Sequence, residues 1–321
     1  MARPAICSMA VNRVSNSEEL YIGGRWTAAT NHIEVTDLAE GGTFTRVAAA
    51  TPAEAEEALA AAKSAEAEMR ELSAVQRADR MLSIADGIEA RKEELAAERF
   101  RRAAEEARSL DGEYIEGSTG GHEGWRAIVR KQPVGTVLCI TPYNYPLSTT
   151  ALQVAPALAA GNAVILKPAT KTPVSGTLLA EIIVEAAPDL PDGAFAFVPG
   201  RASEIGDVLA GDDRLGAIAM TGSSSAGEHV ASVSGMVELH MELGGNAPAV
   251  VFSDADLDAA SEAATKGSLK YAGQRCSAVS RVLAHEDIHD EIVDRVDAEM
   301  DGWAGGDLFE EGTALGPLIS E

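Results

Sequence analysis

From Val134 onward, short apolar runs alternate with longer stretches whose apolar positions recur at helical spacing. The runs predict strands at Val134–Thr141, Ala163–Lys167, Ala194–Val198, Ala217–Thr221 and Val237–Glu242, with helices around Ser148–Ala160, Pro173–Ala187, Ser203–Ala210 and Ser224–Val233. Such alternation argues a parallel, doubly wound α/β sheet, because parallel neighbours need a crossover. A second unit follows: a strand at Pro248–Phe252, a helix at Asp256–Tyr271, a strand at Ala278–Ala284 and a helix at Asp287–Met300. Asp254 and Asp256 suit the start of that first helix, where a carboxylate meets the positive end of the dipole.

Ahead of the alternation the pattern differs. Tyr21-Ile-Gly-Gly-Arg-Trp26 reads as a turn between short strands, and Val35 and Phe44–Val47 suggest further strands. Thr51-Pro52 opens a helix, with Thr as N-cap, Pro in the first helical position and Glu54 and Glu56 in the first turn. Alanine-rich helical pattern runs over Ala53–Ala67 and again over Ala74–Ala107, its acids forming a solvated face. Gly117–Gly124 is glycine-rich but contains no G-x-G-x-x-G, and no strand precedes it, so it reads as a hairpin tip rather than a phosphate loop.

Charge changes the picture more than composition does. The net charge is −24, and lysines are few. A surface this acidic repels nucleic acid and anionic membranes. It reads as an adaptation to high salt, where screening relieves the self-repulsion; an ordinary acidic enzyme is the plainer alternative. No apolar run approaches a membrane span, and the start lacks the apolar core of a secretory signal, so a cytoplasmic protein is expected. The first residues, to about Ser17, read as a tail in which Met9 is an alternative start. Cys7, Cys139 and Cys276 form no disulfide framework, and no metal site is expected.

Two stretches carry chemistry. Met241-Glu-Leu-Gly-Gly-Asn-Ala-Pro248 ends a strand on a carboxylate, Glu242, followed by glycines that let backbone approach closely. Ala272-Gly-Gln-Arg-Cys-Ser-Ala278 places a thiol, Cys276, in a polar loop. A thiol with a carboxylate base describes a covalent enzyme. Arg275 and a nearby helix terminus are expected to favour the thiolate. Cys139, inside Val137-Leu-Cys-Ile140, reads as a buried hydrophobe. His240 shares a strand face with Glu242 and reads as structural. Asn144, just after a strand, offers an amide to an oxyanion at the sheet's carboxyl edge.

Glu242-Leu-Gly-Gly-Asn-Ala-Pro248 followed by Gly273-Gln-Arg-Cys276 resembles the catalytic core of the aldehyde dehydrogenase superfamily, and the resemblance runs from about Glu19 to the last residue. It implies a tail (1–18), N-terminal strands and helices (19–117), an oligomerisation-type hairpin (118–134), a Rossmann-like NAD(P)-binding domain (135–243) and the first half of an α/β catalytic domain (244–321). It implies Cys276 as nucleophile, Glu242 as base for the deacylating water, and Asn144 with the Cys276 N–H as oxyanion donors. Lys167 falls on the cofactor ribose, and Gly222, Ser223 and Gly227 on the cofactor loop; Thr141, Tyr143 and Leu243 complete that set. An acid that excludes a 2′-phosphate often lies three residues after the lysine. Here Thr170 and Lys171 stand there, which favours NADP over NAD.

Several features lean toward a non-phosphorylating glyceraldehyde-3-phosphate dehydrogenase: Arg275 beside the cysteine, Tyr143-Asn-Tyr-Pro-Leu147, Gly200–Gly206, and Arg101 before Ala103-Ala-Glu-Glu106. Arg275 and Arg101 are the candidate substrate residues. Succinate-semialdehyde and lactaldehyde enzymes are close alternatives, and a homo-oligomer is expected from full-length relatives. Two departures stand out. Family members carry an added helical stretch between segments like Glu94-Leu-Ala96 and Phe100–Glu106, which here abut, and they continue past Glu321. A non-catalytic remnant, or a nucleotide-binding subunit that needs a missing half, is therefore the competing reading. A cysteine hydrolase without redox cofactor leaves Lys167 and the Gly222 loop unexplained.

Overall fold

The computed structural model describes residues 14–39, 41–91, 94–307 and 310–320; the expected tail up to residue 13, with Cys7 and Met9, and Glu321 lie outside the described residues. The chain forms two compact units. One comprises the residues up to Val35 together with Thr45–Glu242, the other Thr36–Phe44 together with Leu243–Glu321.

The first unit begins with strands β1 (Glu19–Ile22) and β2 (Arg25–Ala28), joined through Gly23 and Gly24, both at positive φ. Strands β3 (Asn31–Asp37) and β4 (Gly42–Ala49) pair as a hairpin whose tip belongs to the second unit. Helix α1 (Pro52–Glu71) starts as its sequence demands. Thr51 Oγ1 accepts from Glu54 N–H, and the Glu54 carboxylate accepts from Thr51 N–H. Such a cap is worth about 1 kcal/mol. Helices α2 (Ala74–Ala90) and α3 (Glu94–Arg108) follow. The helical pattern suggested one block, but Arg91 ends α2 by returning its N–H to Ile88.

A hairpin of β5 (Glu113–Glu116) and β6 (Arg126–Val129) comes next, exposed along both strands. The alternating segment then supplies β7 (Thr136–Ile140), α4 (Ser148–Ala159), β8 (Ala163–Lys167), α5 (Pro173–Ala186), β9 (Phe195–Phe197), α6 (Asp207–Ala210), β10 (Leu215–Thr221), α7 (Ser224–Val233) and β11 (Glu238–Glu242). The helix expected from Ser203 instead opens as a π-turn at Ala202–Gly206 before α6.

The sheet order is β11–β10–β7–β8–β9–β1–β2. The first five strands are parallel, and β1 joins β9 antiparallel through Tyr21 and Phe197. Helices α1 and α4 both pack on β7 and β8. That is why these two strands are apolar without alternation: both of their faces are covered. Asn162 fixes the entry to β7, its Oδ1 accepting from Val134 and Gly135 N–H at 2.8 and 3.1 Å. At the other end of the sheet, the buried Glu181 carboxylate on α5 accepts from the N–H groups of both Ser15 and Asn16 at 2.6 Å, tying down the lead into β1.

The second unit is a single crossover. Strand β12 (Ala247–Val251) lies parallel to β13 (Val279–Ala284), with α8 (Leu257–Leu269) between them in sequence and α9 (His289–Met300) packed on α8. Asp256 caps α8 through Asp258 and Ala259 N–H, as its position predicted. Gly267 is required on α8, because a Cβ there would sit 2.6 Å from Val279 Cγ2. Among the described residues no helix is long and apolar enough to cross a membrane.

Candidate active site

In the first unit the strand order reverses direction between β7 and β10: β8 and β9 extend from one side of β7, and β10 and β11 from the other. In doubly wound sheets the crevice beyond the carboxyl ends at such a point is where ligands bind. Most of the residues singled out above for the cofactor and for the chemistry end or follow these strands. The register sets Ile140 opposite both Lys167 and Met220, and Thr221 opposite Glu242, so four neighbouring strands stop along one edge. Asn144, half-buried, occupies the turn after β7, next to Tyr143, whose carbonyl accepts from Thr172 Oγ1. Thr141 is buried and donates its N–H to Lys167 O.

Lys167 ends β8 almost fully buried. Among the described residues its Nζ reaches only the Pro168 carbonyl, at 3.5 Å, and burial lowers its pKa to about 8. Thr170 donates to Gly200 O at 3.3 Å. On the other side of the switch point, Gly222 N–H donates to Glu242 O at 3.0 Å, holding the start of the loop to the end of β11. Ser223 caps α7 through Ala226 N–H, and Gly227 is buried in the first turn. The first-turn N–H groups of a helix have no intrahelical acceptor, so the loop offers donors to an anion. Glu242 and His240 are exposed on β11, the edge strand.

In the second unit Cys276 is exposed in the loop between α8 and β13. The approach to it is strained. Tyr271, Ala272 and Gly273 have φ of 60°, 52° and 74°, and the first two are not glycine. Each non-glycine residue held there costs on the order of 1–2 kcal/mol. Gln274 braces the loop, its Nε2 donating to Tyr271 O and its Oε1 accepting from Ile319 N–H. Gly245 lies against it, because a Cβ at that position would stand 2.6 Å from the Cys276 carbonyl oxygen. The two motifs therefore meet through backbone: a glycine of the Glu-Leu-Gly-Gly run passes directly against the cysteine loop.

The model of the aldehyde dehydrogenase family matches residues 26–99 and 94–321. The chain belongs to the aldehyde dehydrogenase family. The match breaks at 94–99, where the two helical segments abut in the sequence. The chain is 36% identical to the NADP-dependent glyceraldehyde-3-phosphate dehydrogenase of Streptococcus equinus, over 93% of this chain and 67% of that protein. It is 33% identical to the mitochondrial succinate-semialdehyde dehydrogenase of Oryza sativa subsp. japonica, over 94% of this chain and 61% of that one. Among solved structures, the NADP-dependent glyceraldehyde-3-phosphate dehydrogenase from Bacillus halodurans C-125 complexed with NADP superimposes with a TM-score of 0.86 at 30% identity, over 91% of this chain and 66% of that chain. The chain thus spans about two thirds of the length of these relatives.

Within this aldehyde dehydrogenase chain, some expected roles meet a different local arrangement. The helix terminus beside Cys276 is the C-terminus of α8, the negative end of its dipole. Arg275 serves that terminus: its guanidinium donates to the carbonyls of Gly267 and Lys270. Arg101 is likewise engaged, by Glu89 and Asp86 of α2. Leu243, expected among the cofactor residues, falls in the second unit. One residue at the switch point had no signal in sequence. Gln153 on α4 donates from Nε2 to Ile140 O and Thr221 Oγ1, bridging the ends of β7 and β10, and its Oε1 is buried without a partner among the described residues. A glutamine inside a helix carries no local pattern that distinguishes it from a surface one.

Proposed function

We propose that this chain binds a nicotinamide dinucleotide, with NADP preferred, and oxidises a small aldehyde to the carboxylic acid. The observation that carries the reading is the set at the switch point. A buried cation, Lys167, has no carboxylate partner among the described residues. An orphaned amide oxygen, Gln153 Oε1, and a helix N-terminus at Ser223 stand at the same edge. These fit a polyhydroxylated anion: Lys167 donates to ribose hydroxyls, Gly222, Ser223 and Gly227 hold the pyrophosphate, and Thr141, Tyr143 and Leu243 belong to the same set. Thr170 presents a hydroxyl where a carboxylate would repel a 2′-phosphate, and the exposed Lys171 follows it. The bound dinucleotide supplies the hydride acceptor.

The chain's own residues do the rest. The Cys276 thiolate forms a C–S bond to the carbonyl carbon, and the oxygen takes the electron pair. The Asn144 amide and the Cys276 N–H donate to that oxyanion. Loss of hydride from the carbon leaves a thioester on Cys276. Water gives a proton to Glu242 as it attacks the acyl carbon, the C–S bond breaks, and the acid departs. Glyceraldehyde 3-phosphate is the favoured substrate, on the Gln-Arg-Cys run and the likeness to dehydrogenases of that name. Arg275 and Arg101 are its candidate phosphate partners once released from their present acceptors.

A second reading has its own observation. Cys276 and Glu242 are both exposed, whereas water exclusion and fixed geometry are what make such groups fast. On that reading the chain binds nucleotide but needs further polypeptide to turn over. One experiment separates the two. The chain is titrated in high salt with NADP and with NAD, then assayed for nicotinamide reduction over an aldehyde panel that includes glyceraldehyde 3-phosphate and succinate semialdehyde. Binding with turnover supports the first reading, binding without turnover the second. Failure to bind either nucleotide refutes both.

A further inference from the structure

The sequence holds 50 Asp and Glu against 26 Lys and Arg, yet one cleft of the first unit reverses that ratio. It lies where the α1–α2 turn, the segment after α3 and the linker from β6 to β7 come together, with a volume of about 940 Å³. Its charged lining is Arg70, Arg77, Arg130 and Lys131, against a single carboxylate, Glu71. Elsewhere the arginines of this unit are largely matched: Arg80 with Asp189, Arg91 with Glu185, Arg108 with Asp79, Arg214 with Glu56 and Asp212. Arg70, Arg130 and Lys131 make no ion pair or side-chain hydrogen bond among the described residues. Arg77 forms the cleft's fixed wall, its guanidinium donating to the carbonyls of Ala159 and Leu72 and, among the described residues, to no carboxylate.

Four like charges lining one cleft repel, and this protein has carboxylates in excess with which to neutralise them. The N-terminus of α2 adds positive potential, since Ser73 and Ala74 line the same cleft. Leu110 and Pro133 give it an apolar side. The volume lies in the range of small-molecule sites. We propose that this cleft is an anion site for a small molecule carrying two or more phosphate charges, separate from the strand-end crevice. A nucleic acid is the poorer fit, because a long polyanion leaving the cleft runs onto an acidic surface. The inference does not depend on the proposed oxidation, as none of its residues belongs to that set.

The test uses inorganic pyrophosphate as probe on the whole chain, by calorimetry and by hydrogen–deuterium exchange. The variant Arg70→Ala/Arg130→Ala/Lys131→Ala removes three exposed, unpaired side chains, and single Lys131→Glu carries the same expectation should the triple variant fold poorly. The expected result is a dissociation constant at least tenfold higher in the variants, with pyrophosphate protecting residues 70–77 and 130–133 in the unmodified chain. Unchanged affinity in the variants, or protection confined to Gly222–Gly227, overturns the proposal. So does a DNA duplex that binds this cleft more tightly than pyrophosphate.

Discussion

Replacing Lys167 by Met should make the nucleotide-free protein more stable and the nucleotide complex weaker. Lys167 is buried at the end of β8, and its pKa falls from 10.5 to about 8 because burial disfavours the charged form. At about 1.4 kcal/mol per pKa unit, the charged lysine costs the fold about 3 kcal/mol. The unfolded lysine keeps its proton up to pH 10.5, whereas the folded one releases it near 8. Between those values the unfolded state binds more protons, so stability rises with pH across that window. Below pH 8 the full cost is present, and by pH 10 it has fallen to about 1 kcal/mol. Met has a similar length and no charge, so it should fill the site with little strain. Urea unfolding of both proteins, followed by tryptophan fluorescence, measures the gap. It should be about 3 kcal/mol in favour of Lys167→Met at pH 7 and about a third of that at pH 10. The acidic surface is common to both proteins and cancels in the difference. Nucleotide affinity should move the other way, by roughly tenfold or more, the loss of one charge-assisted hydrogen bond. A variant no more stable than the parent at pH 7, or a gap that does not shrink at pH 10, would refute the reasoning.

Further outcomes follow from other positions. In the folded protein an alkylating reagent should label Cys276 well before Cys139, which is fully buried with its thiol pushed up to about 12; mass spectrometry showing the reverse order would remove Cys276 as the reactive thiol. Gly245→Ala should displace the Cys276 loop, because the new methyl meets a backbone oxygen that has no rotamer in which to retreat. Its signature is a changed alkylation rate at Cys276 with the melting of the first unit unaltered, and an unchanged rate tells against the contact. Thr170→Glu should weaken NADP more than NAD, since a carboxylate there repels the 2′-phosphate; equal weakening in parallel titrations rules out that role.

The parts of this fold that were legible in the sequence are those decided locally. Thr51, Pro52 and Glu54 announce the start of α1 within four residues, and the capping box forms from them alone. Continuous apolar runs announce β7 and β8 because burial on both faces leaves no polar alternation. The motif residues of the nucleotide crevice end or follow strands for the same reason. What stayed hidden depends on how the chain turns in three dimensions rather than on local pattern. Nothing near Arg275 indicates that its guanidinium will turn back to Gly267 and Lys270, and nothing near Arg101 indicates Glu89 and Asp86. The positive φ of Tyr271 and Ala272 runs against the preference of those residue types, so local rules point away from it. The cationic cleft is invisible in a chain whose charge is strongly negative, because its members come from separate segments of the chain.

The antiparallel pairing of β1 with β9 also bears on how the polypeptide is made. Tyr21 leaves the ribosome about 175 residues ahead of its partner Phe197. At ~5–20 residues per second, β1 and β2 wait roughly 10–35 s for the strand edge they complete. Through that interval Leu20 and Ile22, fully buried at the end, have no sheet to enter. Until Phe197 emerges, the nascent chain therefore presents an apolar hairpin with one edge of β1 unpaired. Chaperone dependence of this protein should concentrate in that window, and a bulky fusion at the N-terminus should lower soluble yield more than the same fusion at the C-terminus.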